Sequence, residues 1–195
     1  MPKIVDYPTV VEMLTQQGFR SLYFNSGAFG FAAEAQTISR GWIGKPDASI
    51  RESARALIRQ VDEPFAEQLS SRLVQVWQRY LPGAVWAMPK SHWAFELEFG
   101  SRDWMPGALQ RLGVDDRLLA PLNNAPAIAF EMEEAEMLRE FVRELLTNLA
   151  QSDFQLVFPG RMTICTIHSR GQLWWTTADP VVAAGMDEIL PSGSE

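Results

Sequence analysis

Ala127-Ile128-Ala129-Phe130 opens the stretch that decides the fold, residues 127–178. This apolar strand leads into an amphipathic helix over 133–150, on which Leu138, Phe141, Val142, Leu145, Leu146 and Leu149 form a narrow stripe. Three strand-like runs follow at Phe154–Phe158, Met162–His168 and Gln172–Thr177. Pro159-Gly160 separates the first two and Ser169-Arg170-Gly171 the second pair, which is the punctuation of an antiparallel meander.

Working outward, residues 8–17 read as an opening helix ended by Gly18, and Ser21-Leu22-Tyr23-Phe24 as a strand. Residues 25–31 and 41–46 read as loops. Ile50, Ala54, Leu57, Ile58 and Val61 fall at helical spacing. So do Phe65, Leu69, Leu73, Val76, Trp77 and Tyr80, until Pro82-Gly83 stops them. Residues 84–88 and 92–99 predict a hairpin across Pro89-Lys90-Ser91. In its second arm Trp93, Phe95, Leu97 and Phe99 face one way, and His92, Ala94, Glu96 and Glu98 the other. A short helix over 103–112, a connector over 113–126 and a terminal helix from Pro180 complete the chain.

The expected architecture is a single α+β domain over 1–195, with an antiparallel sheet of six or seven strands and helices mainly on one face. The order of elements suggests a duplicated β-α-β-β unit, with halves at 20–100 and 126–178. That order resembles small ligand-sensing modules built from two such units, whose clefts use aromatics and a glutamate. No motif carries the resemblance, so no residue roles transfer from it.

Composition narrows the function. The net charge of −7 is uneven: residues 1–60 carry +2, 61–120 carry −2 and 121–195 carry −7. With lysines only at 3, 45 and 90 and no basic block, a nucleic-acid partner is not expected. The first residues show no signal-peptide pattern, and no apolar run approaches the ~20 residues of a membrane helix. The lone Cys165 suits a reducing compartment, so the expectation is a cytoplasmic protein away from the membrane.

Most chemical motifs fail. Cys165 and His168 sit three apart on one strand, which puts them on opposite faces. One Cys and two His cannot build a zinc site, and neither a metal nor a cofactor is expected. Gly41-Trp42-Ile43-Gly44-Lys45-Pro46 and Gly27-Ala28-Phe29-Gly30 lack the spacing of phosphate-binding loops. The sharpest catalytic candidates are Glu96 and Glu98, about 7 Å apart on one strand face, with His92 beside them.

Three functions remain in order. The first is a non-enzymatic acidic protein, an inhibitor or antidote, that presents Glu133, Glu136, Glu140 and Glu144 to a basic protein partner. Arg139 and Arg143 flank that face and can blunt its field. The second is a binding module for a small cationic or aromatic ligand, using Trp93, Trp174 or Trp175 with Glu96 or Glu98. The third is an enzyme using carboxylate acid/base chemistry.

Overall fold

A computed structural model describes residues 1–23, 29–33, 36–42, 63–119, 126–149, 151–169 and 172–189. The helix expected over 50–61, and most of the loops at 25–31 and 41–46, lie outside those residues. In chain order the first elements are β1 (Lys3–Val5), α1 (Tyr7–Gln16), β2 (Phe19–Tyr23), β3 (Phe29–Ala33), β4 (Ile38–Trp42), α2 (Glu63–Tyr80) and β5 (Val85–Pro89). Then come α3 (Trp93–Phe95), α4 (Met105–Leu112), β6 (Ala127–Phe130), α5 (Ala135–Asn148), β7 (Phe154–Val157), β8 (Thr163–His168), β9 (Gln172–Thr177) and α6 (Pro180–Ile189).

Seven of these strands form one antiparallel sheet in the order β1-β6-β5-β7-β8-β9-β4. The chain is an α+β fold, and the meander β7-β8-β9 is present, with a turn at Pro159-Gly160 between its first two strands. The strand expected at 21–24 overlaps β2 at residues 21–23, but β2 pairs with β3 in a separate two-stranded ribbon.

Strand alternation sorts the sheet into two faces. Val85, Ala87, Ile128, Phe130, Phe154, Leu156, Cys165, Ile167, Leu173 and Trp175 share one core with the apolar sides of α2, α4, α5 and α6. Trp86, Met88, Ala127, Ala129, Val157 and Ile164 point the other way, onto α1 and onto Phe19 and Phe31 of the ribbon. Gln155 fixes that second layer: its Oε1 accepts from Phe31 N at 3.0 Å and its Nε2 donates to Phe31 O at 3.3 Å.

The expected hairpin arm over 92–99 is absent. β5 is paired with β6 on one side and β7 on the other, so it has no free edge to offer a further strand. The segment turns helical instead. Glu96 N donates to His92 O at 3.1 Å, and Ser101 N reaches Glu96 O at 2.8 Å, which closes a π-helical turn over Glu96–Gly100. The duplicated β-α-β-β order required that arm, so the described part of the first half departs from the second.

The stripe on α5 buries Leu138, Phe141, Val142, Leu145 and Leu146 as expected, with α2 packed alongside. On α6, Gly185 is where the helix touches α2, and a β-carbon there would overlap the Tyr80 ring. That ring is held by its hydroxyl, which donates to Glu188 Oε2 at 2.7 Å. Helix propensity alone favours alanine over glycine by ~1 kcal/mol. The overlap should win: Gly185→Ala is expected to cost about 1–3 kcal/mol in urea unfolding, whereas a gain would show that α6 can shift freely.

Candidate functional site

The ladder places four side chains in a row across one end of the sheet. Pro89 of β5 faces Phe154 of β7, and one step further Lys90 N donates to Asp153 O at 2.7 Å. Phe154 faces Ile167 of β8, which sets Asp153 beside His168. His168 in turn faces Gln172 of β9, with Trp174 two residues on. Alternation puts this row on the face opposite α2 and α5, just past the part covered by α1 and the ribbon.

Asp153 is the centre of the row. Its Oδ2 lies 3.0 Å from His168 Nδ1 and 3.6 Å from Lys90 Nζ, and its Oδ1 accepts from Ser169 N at 3.1 Å. Burial raises this carboxyl, but the His168 contact, the Ser169 amide and the Lys90 charge together outweigh it and hold Asp153 below the ordinary aspartate value. An ionised carboxylate only accepts, so His168 carries its proton on Nδ1 when neutral and keeps Nε2 as an acceptor. The Trp174 ring meets His168 edge-on, with centroids 6.4 Å apart. Trp174 is 36% exposed, while the side chains of His168, Lys90 and Asp153 are 32%, 27% and 23% exposed. The row is therefore reachable from solvent and also partly desolvated.

Glu96 lies behind this row. It is fully buried, and Ser91, Ser101 and Ser152 all donate their hydroxyls to it, Ser101 at 2.7 Å. Glu98 is exposed and His92 is half-buried. Since the segment is helical, the expected strand face of Glu96, Glu98 and His92 does not exist. Trp93 and Trp175 are fully buried in the helix-side core. Trp93 donates from Nε1 to Pro126 O at 2.6 Å and meets Phe154 edge-on. Neither indole can meet a ligand from solvent, which narrows the aromatic candidates to Trp174. Cys165 faces the helix-side core, away from His168, and burial pushes its thiol well above the ordinary value.

The acidic side of α5 is largely satisfied within the chain. Arg139 binds Glu136, Glu140 and Glu67, while Arg143 binds Glu140, Glu63 at 3.0 Å and Glu67 at 3.8 Å. Arg111 of α4 takes Glu144. The hydrogen bond from Arg139 lowers the Glu136 carboxyl. Glu133 lies exposed just before α5. Two adjoining cavities of about 270 and 370 Å³ flank α4 and α5, sharing Arg111, Arg143 and Glu144. They belong to the opposite side of the sheet from the row.

Among the described residues, no three His, Cys, Asp or Glu side chains lie close enough to share a metal ion, and no helix is long and apolar enough to cross a membrane. Compared with protein-family models, curated proteins and solved structures, the chain matches none.

Of the row, sequence reasoning singled out Trp174 as a ligand candidate and weighed His168 only as a partner for Cys165. Lys90, Asp153 and the three serines were missed. The turn alone does not give this pairing: a two-residue turn at Pro159-Gly160 sets Asp153 opposite Thr166, whereas the ladder pairs Phe154 with Ile167 and so sets Asp153 opposite His168.

The direction of the Asp153 shift fixes a pH dependence. A carboxyl lowered in the folded state stabilises the fold above its unfolded value, and that contribution is lost as pH falls through the folded value. The stability gap between wild type and Asp153→Asn should therefore be widest at neutral pH and shrink toward about pH 3 in urea melts. A gap that stays constant would mean that the charge of Asp153 is unused.

Proposed function

We propose that the chain is a small-ligand binding module, with Trp174, His168, Asp153 and Lys90 as its contact row. The observation that carries this reading is the continuity of the row: an indole, an imidazole acceptor, a carboxylate and an ammonium, all partly exposed and in mutual contact. The chemistry selects a flat molecule. The Trp174 face stacks on a ring or attracts a cation, and His168 Nε2 accepts an N–H or O–H from the ligand. A ligand with both a flat face and N–H donors, such as an amidinium, satisfies both groups. No nucleic acid or membrane enters this reading. A cytoplasmic setting accompanies it, because the lone buried thiol suits a reducing compartment.

Benzamidine tests the assignment, with benzoate as a flat anion for contrast. Trp fluorescence should respond saturably to benzamidine, and the response should be lost in Trp174→Phe and weakened at least ~5-fold in apparent Kd in Asp153→Asn. Equal responses in wild type and Trp174→Phe would remove the proposal.

A second reading, capture of a basic protein partner, keeps a narrower surface than the four glutamates of the sequence argument. It is favoured by the exposure of Glu133 and of Glu136, whose side chain is 73% exposed despite its bond to Arg139. Glu140 and Glu144 are tied down by Arg139, Arg143 and Arg111. Under this reading, salt-eluted capture of one basic protein from host lysate is abolished by Glu133→Lys with Glu136→Lys. Capture that survives both changes excludes it.

A further inference from the structure

We propose that Glu96 is the positioning residue of the row, clamping the two chain segments that carry Lys90 and Asp153. The role rests on the ligand-binding reading, because the row is what the clamp would serve.

The argument starts from cost. A carboxylate at 0% exposure is expensive unless its lone pairs are filled, and three hydroxyl donors from three separate segments fill them here. The donors divide between the two oxygens. Oε1 takes both Ser91 and Ser152, while Oε2 takes Ser101. Ser91 is the chain neighbour of Lys90, and Ser152 is the chain neighbour of Asp153. One buried oxygen atom thus joins the segment leaving β5 to the segment entering β7, one residue away from the Lys90–Asp153 pair at 3.6 Å. Ser101 belongs elsewhere: its backbone O accepts from Trp104 N and Met105 N, so its bond to Oε2 anchors Glu96 to the start of α4. The turn that presents Glu96 is π-helical, a rare geometry that occurs frequently at functional sites.

The division of donors makes the role separable from simple support of the fold. Among the described residues, the groups that face Asp153 are Lys90 after β5, His168 and the Ser169 amide at the end of β8, and Glu96 through Ser152. Releasing the Oε1 clamp lets Asp153 leave the partners that lower its carboxyl, so its titration midpoint should rise toward the ordinary value. Removing a nearby negative charge would by itself move that midpoint down. The two effects therefore have opposite signs.

The experiment is an NMR titration of the Asp153 side-chain carboxyl in the full chain, without ligand, with a thermal melt of each variant alongside. Ser91→Ala, Ser152→Ala and Glu96→Gln should each raise the midpoint by about half a pH unit or more. Ser152→Thr, which keeps the hydroxyl, should return it to the wild-type value. Ser101→Ala should lower the melting temperature and leave the midpoint in place. An unmoved midpoint in Ser91→Ala and Ser152→Ala, whatever their melting temperatures, overturns the proposal, and so does a downward shift in Glu96→Gln. If Glu96→Gln does not fold, the two serine variants decide. A wild-type chain indifferent to benzamidine would sink the ligand reading while leaving this titration to stand or fall separately.

Discussion

The pairing of β5 on both edges organises much of the molecule. Because β6 and β7 occupy its two sides, whatever follows β5 must leave the sheet. Residues 93–100 do so as a short helix that widens into a π turn. The short helix lowers Trp93 into the helix-side core, and the π turn carries Glu96 behind the sheet end, where the segment leaving β5 and the one entering β7 come together. A free edge on β5 would have admitted the strand that residues 92–99 resemble, with Glu96 and Glu98 on a common face. Topology, rather than local preference, puts the carboxylate inside.

The same priority of long-range over local effects governs charge. The last third of the sequence is strongly acidic, yet Glu136, Glu140 and Glu144 of α5 are each paired with an arginine within the chain. α2 packs beside α5 and contributes Glu63 and Glu67, so Arg139 and Arg143 each sit among carboxylates from two helices. The guanidiniums respond as expected: the hydrogen bond to Glu136 raises Arg139, and that to Glu140 raises Arg143, both against the lowering effect of burial. Exposed pairs of this kind add little stability individually. Their consequence lies in shape and sign, because they turn an acidic helix face into a mixed seam between α2, α4 and α5.

The legible parts of the sequence are those where a local period meets a single environment. The stripe on α5 and the meander from Phe154 to Thr177 were both readable, because each buries one side consistently and its turns are marked by glycine or proline. β1 and β4 were not found, since three- and five-residue strands at the sheet edges owe their existence to β6 and β9. Trp93, Phe95, Leu97 and Phe99 misled for a related reason: a short apolar alternation fits a strand, and only the occupied edges of β5 exclude it. Asp153 was hidden by its position just before a strand, where its neighbours in sequence say nothing of Lys90 or His168.

Gln155 shows where the covered face ends and the open one begins. Its amide is 5% exposed and spends both polar atoms on the backbone of Phe31, holding the β2–β3 ribbon against β7 as a strand partner would. Two residues earlier on the same face stands Asp153, still a quarter exposed and tied to side chains instead of to the ribbon. Across the ladder, Thr166 opposes Gln155 on one side and Trp174 on the other. One strand thus passes from a buried amide that closes the second layer to a carboxylate that organises the open row within two residues. Among the described residues, the second layer reaches Gln155 through Phe31, while the side chains of Asp153, His168 and Lys90 beyond it stay partly exposed.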